Sequence, residues 1–533
     1  CEQHAQITTW VQIDERSAAF FALGLAQAQN KPVILVCTSG TAAANWFPAV
    51  VEANYSYVPL LLLSADRPEE LQHCGANQTI DQTYLFGTQV REFIPLEHAD
   101  DLLLHSNYLK KAAGRAIGSC VQKKPGPVHI NIPFREPLLA KRFTPAELNS
   151  FIQLMARNII NSSTPVIKTD RETASLSSSQ LRALHRQIDG KKGMIICGRD
   201  RYSVHFPRLL TRLADMLNCP VLADPLSNLR FGQHSKSNLI YNYDTFLKIP
   251  NPDFTPDWIL GIGQFPVSKN LLEFIQAIKS NFLLIDPMDE WLDPSQTATD
   301  NLVASPESIC SQLLQLELKS APDEWLGRFL QAERQCEKQL NQVITEESPL
   351  FEADIINALI NSVPDETMIF SGNSMAIRDL DSFITSQMPT DKNIQLFCNR
   401  GVSGIDGNLS TLHGMSSAQA GTVIGLIGDQ AFFHDVGGLL LSREAPAIVI
   451  VFNNRGGRIF SQMPLARLPA FEKYWTAPVN LAIEQAARLY ECPFRRAACV
   501  EEFVSALTAL LESAEGGVLE VVIDPEESVA GHR

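Results

Sequence analysis

Charge is scarce in this chain: 19% of its 533 residues are Asp, Glu, Lys or Arg. No long single-sign block and no low-complexity tract occurs, which argues against extensive disorder. Basic residues are in deficit, 44 against 59 acidic ones, for a net charge of −15. Nucleic acid and anionic membranes both reward a basic surface, so neither is expected as the main partner. No apolar run reaches the roughly 18 residues that a membrane-spanning helix needs. Residues 58–63 and 447–452 read instead as buried strands. The 11 cysteines include no C-x-x-C pair and are irregularly spaced, which argues against a disulfide scaffold or structural zinc site. A reducing, cytoplasmic setting fits better. Heptads and solenoid periods are lacking too.

What is present is a set of short apolar runs separated by helical patterns. A length of 533 residues with 45% hydrophobic content predicts roughly three domains. Strands are expected at 32–37, 59–63 and 126–132, then at 194–197, 221–223, 258–261 and 282–285. The last third adds 368–370, 394–398, 422–427, 447–452 and 518–523. A helix is expected from about 38 to 52, another over 17–28, and a charged one over 323–347. Continuous apolar strands alternating with helices imply parallel sheets covered on both faces. The fold class is therefore α/β, with three doubly wound parallel-sheet domains. Their expected limits are 1–145, 181–320 and 351–533, with a polar linker at 146–180 and a helical linker at 321–350.

The strongest local signal lies in the last domain. The strand at 422–427 runs into Gly428-Asp429, and the strand at 447–452 runs into Asn453-Asn454-Arg455-Gly456-Gly457. Two parallel strands ending together place a carboxylate, an amide oxygen and a peptide carbonyl at the carboxyl edge of one sheet, where ligands bind in open α/β folds. Asp429, Asn454 and the Gly456 carbonyl are hard oxygen donors suited to Mg²⁺, or Mn²⁺, shared with a diphosphate. Each half alone reads mostly as a strand-end turn. Together they resemble the diphosphate motif of thiamine diphosphate enzymes, with Gln430 in place of the usual glycine. Such enzymes need one carboxyl group against the aminopyrimidine ring. Glu15, at a predicted helix start, stands where the superfamily carries it.

The match then narrows. Residues 14–16 (DER), 38–45 (TSGTAAAN), 64–68 (SADRP) and 74–78 (CGANQ) occur in family order, followed by 372–374 (GNS), 399–407 (NRGVSGIDG) and 453–457 (NNRGG). By these motifs the chain resembles the 2-succinyl-5-enolpyruvyl-6-hydroxy-3-cyclohexene-1-carboxylate synthase (MenD) family over nearly its whole length. The resemblance implies an N-terminal pyrimidine-binding domain, a central scaffold and a C-terminal diphosphate-binding domain. It also implies thiamine diphosphate with Mg²⁺ or Mn²⁺, decarboxylation of 2-oxoglutarate, and conjugate addition of the resulting succinyl carbanion to isochorismate.

The same resemblance assigns residues. Glu15 is the catalytic carboxyl. Thr38, Gly40, Asn45, Gly428, Asp429, Gln430, Asn454 and Gly456 serve the cofactor, and Ile405 is the apolar wedge beneath it. Phe460 and Met463 flank it, or belong to ordinary core. Arg67, Arg378 and Arg400 are expected on substrate carboxylates, for which a guanidinium fork is suited. Asn77, Gln78 and Ser374 join them. Lys269 is either a further substrate contact or half of a surface salt bridge.

A homodimer or homotetramer with active sites between subunits is implied. The sequence opens at Cys1 and Glu15 lies near its start, so the family's first strand–helix unit is expected to be missing. An acetolactate synthase-like carboligase and a non-catalytic cofactor-binding relative are the alternatives.

Overall fold

In the computed structural model, residues 7–97, 106–136, 174–343, 350–418, 421–513 and 515–532 are described. They build three wholly parallel sheets. The first contains β1 (Val33–Cys37), β2 (Leu60–Asp66), β3 (Glu92–Pro95) and β4 (Val128–Pro133), in the order β1-β2-β4-β3. The second contains β5 (Gly193–Cys197), β6 (Val221–Ala223), β7 (Leu239–Ile240), β8 (Trp258–Ile262), β9 (Asn281–Ile285) and β10 (Asp300–Leu302). Its order is β10-β9-β8-β5-β6-β7, reversing direction between β5 and β8. The third contains β11 (Met368–Ser371), β12 (Gln395–Cys398), β13 (Val423–Gly428), β14 (Ile448–Asn453), β15 (Phe494–Ala497) and β16 (Gly517–Val522), ordered β12-β11-β13-β14-β16-β15. The doubly wound parallel-sheet expectation therefore holds.

The first sheet repeats the order of the last four strands of the third, with β1 in the place of β13. There β13 has β11 beside it, whereas β1 is an edge. Ile34 and Val36 on β1 are 58% and 70% exposed.

The chain forms two compact units: Cys1–Glu172 with Arg400–Ala418, and Thr173–Asn399 with Gln419–Arg533. In the first unit, helix Asn408–Ser416 packs closely on helix Glu15–Gln29. Glycines set that approach, since a Cβ on Gly24 would lie 1.9 Å from the Thr411 carbonyl oxygen and one on Gly414 2.0 Å from that of Phe21. In the second unit one apolar core extends through both of its sheets, from Ile195 and Leu260 to Ile424 and Ile450. Burying Arg230 in that core is tolerated because Asp381 pairs with it and four backbone carbonyls accept from it.

Several local expectations change. The helix expected over 38–52 is two helices, Thr41–Ala44 and Phe47–Tyr55, and Pro48 in the first turn of the second favours a fresh start there. Residues 178–180, expected in the linker, open helix Ser178–Ile188. Ser177 and Gln180 form a capping box that outweighs the polar composition. The charged helix covers Asp323–Val343. Residues 344–347, and most of the linker, lie outside the described residues.

Candidate active-site residues in two units

In the first unit, Thr38, Gly40, Arg67 and Gln78 come together at the carboxyl ends of β1 and β2. These strands pair Cys37 with Ser64, so the turn at Thr38–Gly40 and the turn at Arg67 emerge side by side. Glu15 begins its helix behind an Asp14 cap, whose carboxylate accepts from the N–H groups of Arg16 and Ser17. The Glu15 charge reaches the end of β1: burial pushes the Cys37 thiol up to about 12, and Glu15 adds to that shift. Cys37 thus stays a neutral thiol.

Gln78, predicted for substrate, is bound to the predicted cofactor turn. Its amide donates to Thr38 Oγ1 at 3.2 Å and to the Ser39 carbonyl at 3.1 Å, while Ser39 Oγ donates to the Gln78 carbonyl at 2.9 Å. Gly40 has φ +86°, and a Cβ there would sit 3.1 Å from Gln78 Cγ. Only glycine fits that turn comfortably. Asn77 is exposed nearby. Asn45 is also exposed, and its side chain turns back to the Thr41 carbonyl.

Arg67 is the clearest ligand-seeking group. Its Nε is buried and has no hydrogen-bond partner among the described residues. A buried cationic donor left unsatisfied is costly unless an anion completes it. Arg400 and Ile405 lie on a loop that Glu52 anchors. The Glu52 carboxylate, itself buried, accepts from the N–H groups of Gly401 and Val402 at 2.8 and 2.9 Å and from the Ser56 hydroxyl. Ile405 is 38% exposed, an apolar side chain with surface to spare.

In the second unit, β11, β13 and β14 are neighbours, and their carboxyl ends bring Ser374, Asp429 and Asn454 to one edge. Asp429 is buried. Its Oδ2 accepts from the Gly456 N–H at 2.8 Å and its Oδ1 from the Gln430 N–H at 2.8 Å. Burial raises its carboxyl above the ordinary value, against the pull of those two N–H groups and the Arg458 charge. The Asn454 amide nitrogen donates to Glu352 Oε1 at 3.4 Å, which leaves Oδ1 without a partner among the described residues. The Gly456 carbonyl accepts from Arg458 N–H at 2.8 Å and keeps its second lone pair. Among the described residues no three His, Cys, Asp or Glu side chains cluster as a metal site. The predicted set is of a different kind: one carboxylate, one amide oxygen and one peptide oxygen. As a donor set it fits a hard divalent cation.

Gln430, in the place of the usual glycine, uses its side chain to hold the following segment, donating to the Thr476 and Ala477 carbonyls at 2.7 and 2.9 Å. Its backbone remains part of the strand-end turn. Phe460 is half-buried beside Gly457, and Met463 is largely exposed, so Met463 is not core. Ser374 stands at φ +67°, and Arg378 donates to its carbonyl at 2.7 Å one turn on. Lys269 opens helix Lys269–Ala277 and makes an exposed pair with Glu273 at 3.0 Å.

Glu52, Gln82, Asn131 and Glu352 were not singled out from sequence. Glu52, Asn131 and Glu352 are buried polar residues beside apolar runs, which is the one trace of them that the sequence carries, whereas Gln82 stands in a polar stretch that gives no sign of its burial. Among the described residues no helix is long and apolar enough to cross a membrane.

Residues 1–85 match the family model for the thiamine pyrophosphate enzyme N-terminal TPP-binding domain, and residues 156–371 match that for the middle domain of thiamine pyrophosphate enzymes. Several curated proteins named 2-succinyl-5-enolpyruvyl-6-hydroxy-3-cyclohexene-1-carboxylate synthase are similar over nearly the full chain. One from Oceanobacillus iheyensis is 37% identical over 542 residues, covering 100% of this chain and 90% of that protein. One from Dechloromonas aromatica is 39% identical, covering 92% and 86%. One from Geobacillus kaustophilus is 38% identical, covering 99% and 90%.

Proposed function

The chain belongs to the 2-succinyl-5-enolpyruvyl-6-hydroxy-3-cyclohexene-1-carboxylate synthase family, and from that membership we propose how its residues divide the work. It is a thiamine diphosphate-dependent transferase of menaquinone biosynthesis. We assign it the decarboxylation of 2-oxoglutarate and the conjugate addition of the succinyl carbanion to isochorismate. The observation that carries the cofactor half is the buried meeting of Asp429 with Gly456 at 2.8 Å, beside an Asn454 whose oxygen is free.

When bound, thiamine diphosphate supplies the electron sink that a 2-oxo acid needs to lose carbon dioxide. Asp429, Asn454 and the Gly456 carbonyl would hold the Mg²⁺ or Mn²⁺ that carries the diphosphate. Gly428, Gln430, Thr38, Gly40 and Asn45 complete the cofactor's surroundings, with Ile405, Phe460 and Met463 as its apolar contacts. The carboxyl of Glu15 holds the proton that the aminopyrimidine ring exchanges. Arg67, Arg378 and Arg400 orient substrate carboxylates, with Asn77, Gln78, Ser374 and Lys269 as further contacts. Fixing two anionic substrates in one geometry is a large part of any bimolecular rate gain.

The domain limits 1–145, 181–320 and 351–533, the homodimer or homotetramer with sites completed between subunits, and a cytoplasmic location belong to the same reading.

The test is product analysis on the purified chain with thiamine diphosphate and Mg²⁺. Formation of the succinylated cyclohexene from 2-oxoglutarate and isochorismate supports the proposal. Acetolactate from pyruvate alone would reassign the substrate class. Cofactor binding without any decarboxylation would make the chain a binder.

A further inference from the structure

Beneath the first sheet's carboxyl edge runs a buried polar chain that no step above uses. Gly40 donates its N–H to Gln82 Oε1 at 2.8 Å. Gln82 Nε2 donates to Asn131 Oδ1 at 2.8 Å and to the Ala65 carbonyl at 3.0 Å. Asn131 Nδ2 donates to Asp66 Oδ2 at 2.7 Å, and Asp66 Oδ1 accepts the Arg67 N–H at 2.7 Å. Gln72 also donates to Asp66 Oδ1, and to the Arg67 carbonyl. Gln82 is 1% exposed; Asp66 and Asn131 are each 9%.

The direction of every bond is determined. Ser64 Oγ lies 2.7 Å from both Asn131 Oδ1 and His129 Nε2. Burial holds the His129 imidazole neutral, its pKa lowered to about 4. The Gly40 N–H can only donate, so Gln82 Oε1 accepts, Gln82 Nε2 donates and Asn131 Oδ1 accepts. Ser64 Oγ spends its one proton on that oxygen, and the ring proton of neutral His129 sits on Nε2 and donates to Ser64. With Oδ1 taken, Asn131 Nδ2 is the donor to Asp66. Both amides are locked, and neither can flip without opposing two acceptors or two donors.

We infer that Gln82 and Asn131 are positioning residues that tie the cofactor turn at Gly40 to the substrate arginine Arg67, so that carboxylate binding at Arg67 depends on the state of this relay. The inference rests on the assignment of Arg67 to a substrate carboxylate. Asp66 fixes the backbone from which Arg67 projects, and its own place is set by Asn131 and hence by Gln82. The Arg67 Nε, buried and unpartnered, is the group whose aim the relay controls.

A double-mutant cycle on the thiamine diphosphate- and Mg²⁺-loaded protein tests this, with apparent 2-oxoglutarate affinity read as KM separately from kcat and unfolding temperature read in parallel. Gln82→Met keeps the volume and removes every donor and acceptor. It is expected to weaken 2-oxoglutarate roughly tenfold, within the range for directly coupled residues. Arg67→Ala is expected to weaken it at least as much. In the Arg67→Ala background, Gln82→Met should then cost no further affinity. Additive losses would make the relay generally structural and overturn the inference. Unchanged affinity in Gln82→Met overturns it as well. Wild-type 2-oxoglutarate affinity in Arg67→Ala removes the assignment of Arg67 to that substrate's carboxylates and overturns the inference with it, so the two failures are told apart. Should Gln82→Met not fold, Gln82→Glu in the same cycle decides, because it keeps the shape and sets carboxylate oxygens against Asn131 Oδ1 and the Ala65 carbonyl.

Discussion

The N–H of Gly456 donates to Oδ2 of Asp429 at 2.8 Å, joining residues 27 apart in sequence. This contact closes the ends of β13 and β14 on each other. It fixes a buried carboxylate against the turn that carries Asn454 and Gly456, so the three oxygen donors proposed for the cation are restrained by the fold itself. Preorganisation of that kind lowers the ordering cost of binding.

Asp429→Ala removes the only carboxylate of that set. Mg²⁺-dependent affinity for thiamine diphosphate should fall by at least roughly 100-fold, because losing even a partner that only orients a metal ligand costs about 10- to 100-fold. Cofactor titration with and without Mg²⁺ checks this, and an unchanged Mg²⁺ dependence removes the metal assignment.

Gly456→Ala should be poorly tolerated. The residue has φ +114°, and a Cβ would fall 2.3 Å from the Thr476 carbonyl oxygen, which is backbone and cannot swing aside. A loss of about 3 kcal/mol is expected in denaturant unfolding. A variant as stable as the wild type would show that the turn can rebuild itself without strain.

Glu15→Gln keeps size and hydrogen bonding but cannot exchange a proton. Turnover should fall by a factor of roughly 10²–10⁴, the usual worth of a general acid–base group. Cofactor affinity should change little. Full activity in steady-state assays would release Glu15 from the catalytic role.

Stability should peak near pH 6.5 as far as two histidines determine it. Burial alone would lower His532, but its hydrogen bond to Asp379 at 2.8 Å, the Asp379 charge and Glu352 lift it to about 9. A folded value above the unfolded one of about 6.5 gives stabilisation that is complete below pH 6.5 and lost as pH rises through 9. His129 does the opposite, because its folded value of about 4 lies below the unfolded one. Its stabilisation is present above pH 6.5 and lost on acidification towards 4. Each limb amounts to at most about 3 kcal/mol. Unfolding temperature against pH measures both, and His532→Gln should flatten the alkaline limb alone.

The sequence by itself determined the class of the fold, most of its central strands and the identity of the chemistry. A strand between two neighbours must be apolar on both faces, and such runs are visible as runs: 194–197, 422–427 and 447–452 all became strands at the expected places. The four strands missed from sequence, β3, β7, β10 and β15, are all sheet edges. An edge has one neighbour and tolerates charge, as in Glu92–Pro95, Asp300–Leu302 and Phe494–Ala497, so its sequence resembles loop. Glu15, Asp429 and Asn454 could be proposed from sequence because each stands at the end of a recognisable element, and the structure keeps them there, Glu15 opening a helix and the other two following β13 and β14. Only the tertiary structure decided that Lys269 pairs with Glu273, that Met463 is exposed, and that Gln430 grips the Thr476 carbonyl. The same holds for Gln82 and Asn131. Their hydrogen bonds span 42 and 49 residues. A polar side chain's partner depends on which strand ends fall beside it, and no local pattern encodes that distance.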